Sequence, residues 1–310
     1  MSRVHDALRR GQQGLPEPPA QPEHGAASGR VSETRAGTGL LNQVRSVPFL
    51  PARDALLIKG PRDHGIDAPV EEFRSLRTRL NHLQGQHPLH TLVITSPSPA
   101  EGKSFTAANL AIAQAHLKGN LTLLADFDCR RPTLHKFFSI DRSPGITDYL
   151  LGQATLPQIL VKIEDLDLYV MPAGTAVVNP LELLNLEEVR VLLQRLPEVF
   201  RWVIMDSPPL LFAADANLLS TYSDATLLVT RIGATTIQNL ARAIQGMSHN
   251  NIIGVVANGA RRGELYNKYG YPYYYYGERR RSGGDEVLLS EMPADAGLPA
   301  GRREPDDAAK

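Results

Sequence analysis

Residues 90–119 read HTLVITSPSPAEGKSFTAANLAIAQAHLKG, and three different patterns follow one another within them. HTLVITS (90–96) is a short apolar run with the length of a buried strand. From Lys103 to Gly119, Phe105, Ala108, Ile112 and Ala115 fall on one face at helical spacing, with Gly119 as the stop. Between them lies a loop of small residues whose last three, Gly102-Lys103-Ser104, open the helix. Strand, small-residue loop and helix N-terminus together form a phosphate-binding loop. The loop N–H groups of Ala100, Glu101, Gly102, Lys103, Ser104 and Phe105 would face phosphate oxygens, aided by the helix dipole. Lys103 would reach the β- and γ-phosphates and the Ser104 hydroxyl would ligate Mg²⁺. Two positions depart from the usual loop: Pro97 stands six residues before the lysine, where a glycine is expected, and position 100 is Ala100. Pro97 offers no N–H. Ala100 would cost about 1–2 kcal/mol if the loop needs a positive φ there.

Outward from this stretch the pattern repeats. Strand-like runs occur at 121–126, 166–174, 202–206, 225–231 and 252–259, alternating with helical patterns at 186–200, 214–222 and 235–247. Pro197 leaves the end of the first of these helices in doubt. Near-continuous Val/Ile/Leu strands alternating with helices predict an α/β protein of the phosphate-loop NTPase fold, with a mostly parallel sheet and helices on both faces. Ligands of such sheets bind at the carboxyl ends of the strands.

Those ends carry acids. The 121–126 strand runs into LLADFDCRRP, with Asp126 and Asp128 two apart and pointing the same way in extended chain. The 202–206 strand ends in VIMDSPP, with Asp206 where phosphate-loop proteins place the carboxylate that contacts Mg²⁺ indirectly. Ser104, Asp128 and Asp206 are the candidate metal ligands, and Lys103, Asp126 and Asp128 the candidate catalytic groups. Asn258, followed by Gly259, either reads an adenine edge or turns the strand end. Arg130 and Arg131 suit phosphate charge, a subunit contact or a surface salt bridge.

The flanks differ in composition. Val4, Ala7 and Leu8 fit a short amphipathic helix over 1–12, or a frayed terminus. Residues 13–45 are rich in Pro, Gly, Gln and Ser and predict a flexible linker; the globular domain is expected at 46–262. Seven of the 10 tyrosines crowd into 263–277, and 278–310 reads as a disordered tail. The balance of 33 basic and 33 acidic residues gives no sign of nucleic acid as a partner. One cysteine allows no intrachain disulfide and fits a reducing compartment. No run approaches the roughly 18 apolar residues of a membrane helix.

The motifs together resemble the bacterial tyrosine kinases of exopolysaccharide and capsule synthesis. SPSPAEGKS is similar to their Walker A loop, LLADFDCRRP to their A′ motif and VIMDSPP to their Walker B; NPLELL (179–184) resembles another family segment. EEFRSLR resembles their oligomerisation motif, here Glu71, Arg74 and Arg77. The resemblance implies ATP and Mg²⁺ as cofactors. It implies trans-autophosphorylation of Tyr266, Tyr269, Tyr271, Tyr273, Tyr274, Tyr275 and Tyr276 within a homo-oligomeric ring, with Asp126 orienting the tyrosine hydroxyl. It further implies a cytoplasmic protein, peripheral at the inner membrane through a transmembrane polysaccharide co-polymerase that activates it, and a cognate tyrosine phosphatase. Two other readings share the loop. One is a partition or site-selection ATPase, although Ser98 stands where such proteins carry a second lysine. The other is a non-catalytic nucleotide-binding regulator of polysaccharide assembly.

Overall fold

The computed structural model describes residues 39–51, 68–247 and 251–260. All of these fall in one compact unit ending at Ala260. The tyrosine cluster, the N-terminal 1–38 and the C-terminal tail lie outside the described residues.

Eight strands form one sheet: β1 (Arg45–Val47), β2 (Thr91–Thr95), β3 (Thr122–Asp126), β4 (Val161–Ile163), β5 (Leu168–Met171), β6 (Trp202–Asp206), β7 (Ala225–Arg231) and β8 (Ile252–Asn258). Their order is β1-β4-β5-β3-β6-β2-β7-β8. All neighbours pair parallel except β4 with β5. The six parallel strands are those predicted from the apolar runs. β1 and β4, three residues each, carry no readable period and form the reversed edge.

The helices are α1 (Ala68–Gln84), α2 (Lys103–Ala115), α3 (Leu134–Phe137), α4 (Ile146–Leu150), α5 (Leu156–Ile159), α6 (Pro180–Leu184), α7 (Glu187–Arg195), α8 (Ala214–Thr221) and α9 (Ile237–Gln245). The helix predicted to Gly119 ends at Ala115, and the one predicted over 186–200 stops at Arg195 before a 3₁₀ turn, Leu196–Glu198, that contains Pro197. Proline has no N–H to continue the α-helical ladder.

Alternate residues of the central strands serve opposite faces. Leu92, Ile94, Leu124, Trp202 and Ile204 pack with Leu110 and Ile112 of α2 and with Val70 and Leu80 of α1. Val93, Leu123, Val203 and Met205 pack with Val189, Leu192 and Leu193 of α7 and Leu219 of α8. Leu40, Leu41 and Val44 join the second layer. The domain start expected at 46 therefore falls inside packed chain, because three apolar anchors follow the Gly-rich segment too closely for composition to separate them. Trp202 donates from Nε1 to Asn81 Oδ1 at 3.0 Å, tying α1 to β6. No helix among the described residues is long and apolar enough to cross a membrane.

Ile204 is fully buried at the centre of the sheet. Ile204→Ala is expected to lower unfolding free energy by about 2–5 kcal/mol. Urea denaturation followed by the fluorescence of Trp202, the chain's 1 tryptophan, measures it.

Candidate functional site

The register of three neighbouring strands assembles the site. Asp126 at the end of β3 is the Cα partner of Asp206 at the end of β6, and Asp206 is also the partner of Ile94 in β2. Adjacent strands lie about 4.8 Å apart. The loop leaving β2 therefore starts beside two carboxylates that are far from it in sequence.

Lys103, the first residue of α2, sits among them. Its Nζ lies 2.7 Å from Asp128 Oδ2 and 3.7 Å from Asp206 Oδ1. It also donates to Ser104 Oγ at 3.2 Å. Asp128 Oδ1 accepts from the Arg131 N–H at 3.0 Å. Asp126 is fully buried, and its Oδ2 accepts from the N–H groups of Thr133 and Leu134, both at 3.0 Å. Asp126 Oδ1 and both oxygens of the fully buried Asp206 have no hydrogen-bond partner.

Burial is the main influence on the charges. It pushes Asp126 up to about 8, helped by Asp206 and Asp128 and opposed by the Leu134 N–H and Lys103. It pushes Asp206 up to about 6, with Lys103 and Ser104 opposing the rise and Asp128 adding to it. Burial also disfavours the Lys103 charge, but Asp206, Asp128 and Asp126 more than offset that and its pKa rises. Cys129, buried next to these acids, is pushed up to about 12, mainly by burial, and is not a reactive thiol.

The loop around them is tightly shaped. Ala100 has φ 62° and Gly102 has φ 95°. A Cβ on Gly102 would lie 1.9 Å from Asn258 Nδ2, so only glycine fits. The Asn258 amide donates to the Glu101 carbonyl at 3.0 Å and its Oδ1 accepts from Gly259 N–H at 2.8 Å, placing Asn258 as a strut of the loop. No side chain caps the N-terminus of α2. The Phe105 ring packs edge-on against Phe73 of α1 at 6.1 Å, leaving its backbone in the first turn of α2.

These features fit a nucleotide with a divalent cation. Uncapped first-turn N–H groups suit phosphate oxygens. Bare, buried carboxylate oxygens beside the Ser104 hydroxyl suit Mg²⁺, which keeps waters and takes the rest of its shell from one or two carboxylates and phosphates. No group of three or more His, Cys, Asp or Glu among the described residues is arranged to hold a metal by itself.

Other candidates lie elsewhere. Arg130 forms a fork on the buried Asp215 of α8, 2.9 and 3.2 Å, so it joins the loop after β3 to α8. Arg131 is exposed. Asp215 carried no sequence signal, because its partner is 85 residues away. Glu71 and Arg74 pair with each other one turn apart on α1, while Arg77 donates to the Ala113 carbonyl of α2 at 3.0 Å.

No family model matches the chain. Over 203 residues it is 32% identical to the tyrosine-protein kinase YwqD of Bacillus subtilis, covering 65% of this chain and 85% of that protein. The chain belongs to the bacterial tyrosine-protein kinase family. It is 30% identical over 271 residues to the tyrosine-protein kinase Wzc of Salmonella typhimurium, covering 85% of this chain and 37% of that one. For Etk of Escherichia coli the values are 31% over 222 residues, 70% and 29%, so the chain spans about a third of these longer relatives. The solved kinase domain of Etk superposes with a TM-score of 0.62 at 27% identity, covering 75% of this chain and 98% of that one. The BceF tyrosine kinase domain gives 0.60 at 30%, covering 74% and 90%.

Ala100 holds a left-handed conformation that disfavours any Cβ, so Ala100→Gly is expected to stabilise the chain by about 1 kcal/mol, read from its denaturation midpoint. Asp126 binds its proton more tightly folded than unfolded, so this group withdraws stability as pH rises from about 4 towards about 8. Asp126→Asn keeps an oxygen for the Thr133 and Leu134 N–H groups. It should flatten the fall in stability between pH about 6 and about 8, a fall of at most about 1.4 kcal/mol per pH unit for one group. An unchanged slope in thermal unfolding would contradict this.

Proposed function

We propose that this protein is an ATP-dependent protein-tyrosine autokinase that phosphorylates the C-terminal tyrosine cluster, Tyr266–Tyr276, of a neighbouring copy. The observation that carries the reading is the single lysine set among three carboxylates at the mouth of a phosphate loop, in a chain of the tyrosine-kinase family.

Bound Mg·ATP supplies the γ-phosphoryl group and the counter-charge for the acids. Lys103, which contacts Asp128 and Asp206, would serve the β- and γ-phosphates. Ser104, Asp128 and Asp206 would hold the cation, directly or through water. Gly102 and its neighbours keep the loop N–H groups on the phosphates. Asp126, with Oδ1 unengaged, orients the incoming tyrosine hydroxyl. Catalysis is then mainly positioning and charge neutralisation. Each phosphotyrosine adds about −1.5 to −2 charges, so successive modification drives the clusters of a ring apart. The Glu71–Arg74–Arg77 face of α1 serves as the ring contact, with Arg77 also docking α1 on α2.

In this reading the protein acts in the cytoplasm, at the inner membrane through a transmembrane polysaccharide co-polymerase that activates it. It regulates exopolysaccharide or capsule polymerisation and export, and a cognate tyrosine phosphatase resets it.

Incubation with Mg·ATP, alone and with the partner's cytoplasmic tail, should yield anti-phosphotyrosine signal. Lys103→Met and a chain cut after Gly263 should both lose it, the first by at least about 100-fold. ATP turnover with no phosphotyrosine, even with the partner, would replace the kinase with an ATPase switch.

A further inference from the structure

The Glu101 carboxylate contacts neither Lys103 nor the aspartates in the contacts described above, yet Glu101 is only 3% exposed. Its Oε2 accepts from the Ser98 N–H at 2.8 Å, and its Oε1 accepts from the Thr235 hydroxyl in the turn after β7. Thr235 Oγ1 in turn accepts from the Arg231 N–H at 2.8 Å, and the Arg231 guanidinium donates to the Ala100 carbonyl at 3.3 Å. On its other side the loop is held by Asn258 at the end of β8. Side chains thus tie the phosphate loop to the ends of β7, the neighbour of β2, and of β8 beyond it.

The loop needs such a hold. It contains Pro97 and a left-handed Ala100 where the usual loop is freer to adopt the shape through glycine, and strained backbone persists only where its surroundings over-determine it. Electrostatics gives the carboxylate no other purpose: a negative charge beside a phosphate site opposes the ligand. Its use is geometric.

We infer that Glu101 and Thr235 are a positioning pair, through which the turn after β7 fixes the phosphate loop in the shape that binds the phosphates of a nucleoside triphosphate or diphosphate. The inference rests on the nucleotide-binding reading of the site. Thr235 contacts none of Lys103, Ser104, Asp126, Asp128 and Asp206 among the hydrogen bonds described; it bears on the phosphate loop through the Glu101 carboxylate and through Arg231.

Binding of fluorescent Mg·ADP to the full chain tests it, with thermal unfolding measured on the same samples. Thr235→Val keeps the side-chain shape in a partly exposed turn and removes the hydroxyl. It should weaken Mg·ADP by about 10-fold while lowering the melting temperature by no more than about 3 °C. Thr235→Ser, which restores the hydroxyl, should bind within about twofold of wild type. Thr235→Val binding as tightly as wild type would overturn the pair, as would Thr235→Ser binding as weakly as Thr235→Val. A wild-type chain that binds no Mg·ADP would overturn the nucleotide reading together with the inference.

Discussion

Three carboxylates and one ammonium group are packed at the ends of adjacent strands, and much of the structure around them serves to hold that crowd of charge. Burial alone would neutralise Asp126 and Asp206, whose pKa values rise. Lys103 offsets part of the repulsion but pairs closely with only one acid, Asp128 at 2.7 Å. Unpaired oxygens on buried carboxylates are expensive. A divalent cation would offset that cost. The same carboxylates that cost stability are suited to a nucleotide carrying a divalent cation.

The frame tolerates this because its strands are buried on both faces. β2, β3 and β6 are wholly buried, and each supplies one residue or loop to the site at its carboxyl end. The loop itself is held less by its own sequence than by its neighbours. Gly102 is pressed against Asn258, Glu101 is bound to Ser98 and Thr235, and Leu210 N–H bonds to the Ser96 carbonyl at 2.8 Å. A loop with alanine and proline at two glycine positions keeps its shape because β7, β8 and the segment after β6 enclose it.

The six parallel strands were legible because each is a compact apolar run, and the clustering of Lys103, Ser104, Asp126, Asp128 and Asp206 because each lies at or just past a strand end or at a helix start, where the phosphate-loop pattern looks for them. β1 and β4 were not, since three residues cannot display a period. The helices α3 to α6 are four or five residues long and are set by tertiary contacts, such as the Asp126 carboxylate capping Thr133 and Leu134. Asp215, Arg231 and Thr235 escaped for another reason. Their partners lie 85, 131 and 134 residues away, and nothing local marks them. Composition placed the start of the domain too late because Leu40, Leu41 and Val44 follow directly on a Gly- and Ser-rich segment.

The most direct test of this account is the dissociation constant of ADP measured with and without Mg²⁺, at pH about 7.5. If Asp206, Asp128 and Ser104 hold the cation, Mg²⁺ should tighten ADP by at least about 10-fold, a gain of about 1.4 kcal/mol, and Asp206→Asn should remove most of that gain. Equal affinity with and without Mg²⁺ would contradict the account, because the buried carboxylates would then stand beside the nucleotide without a cation between them.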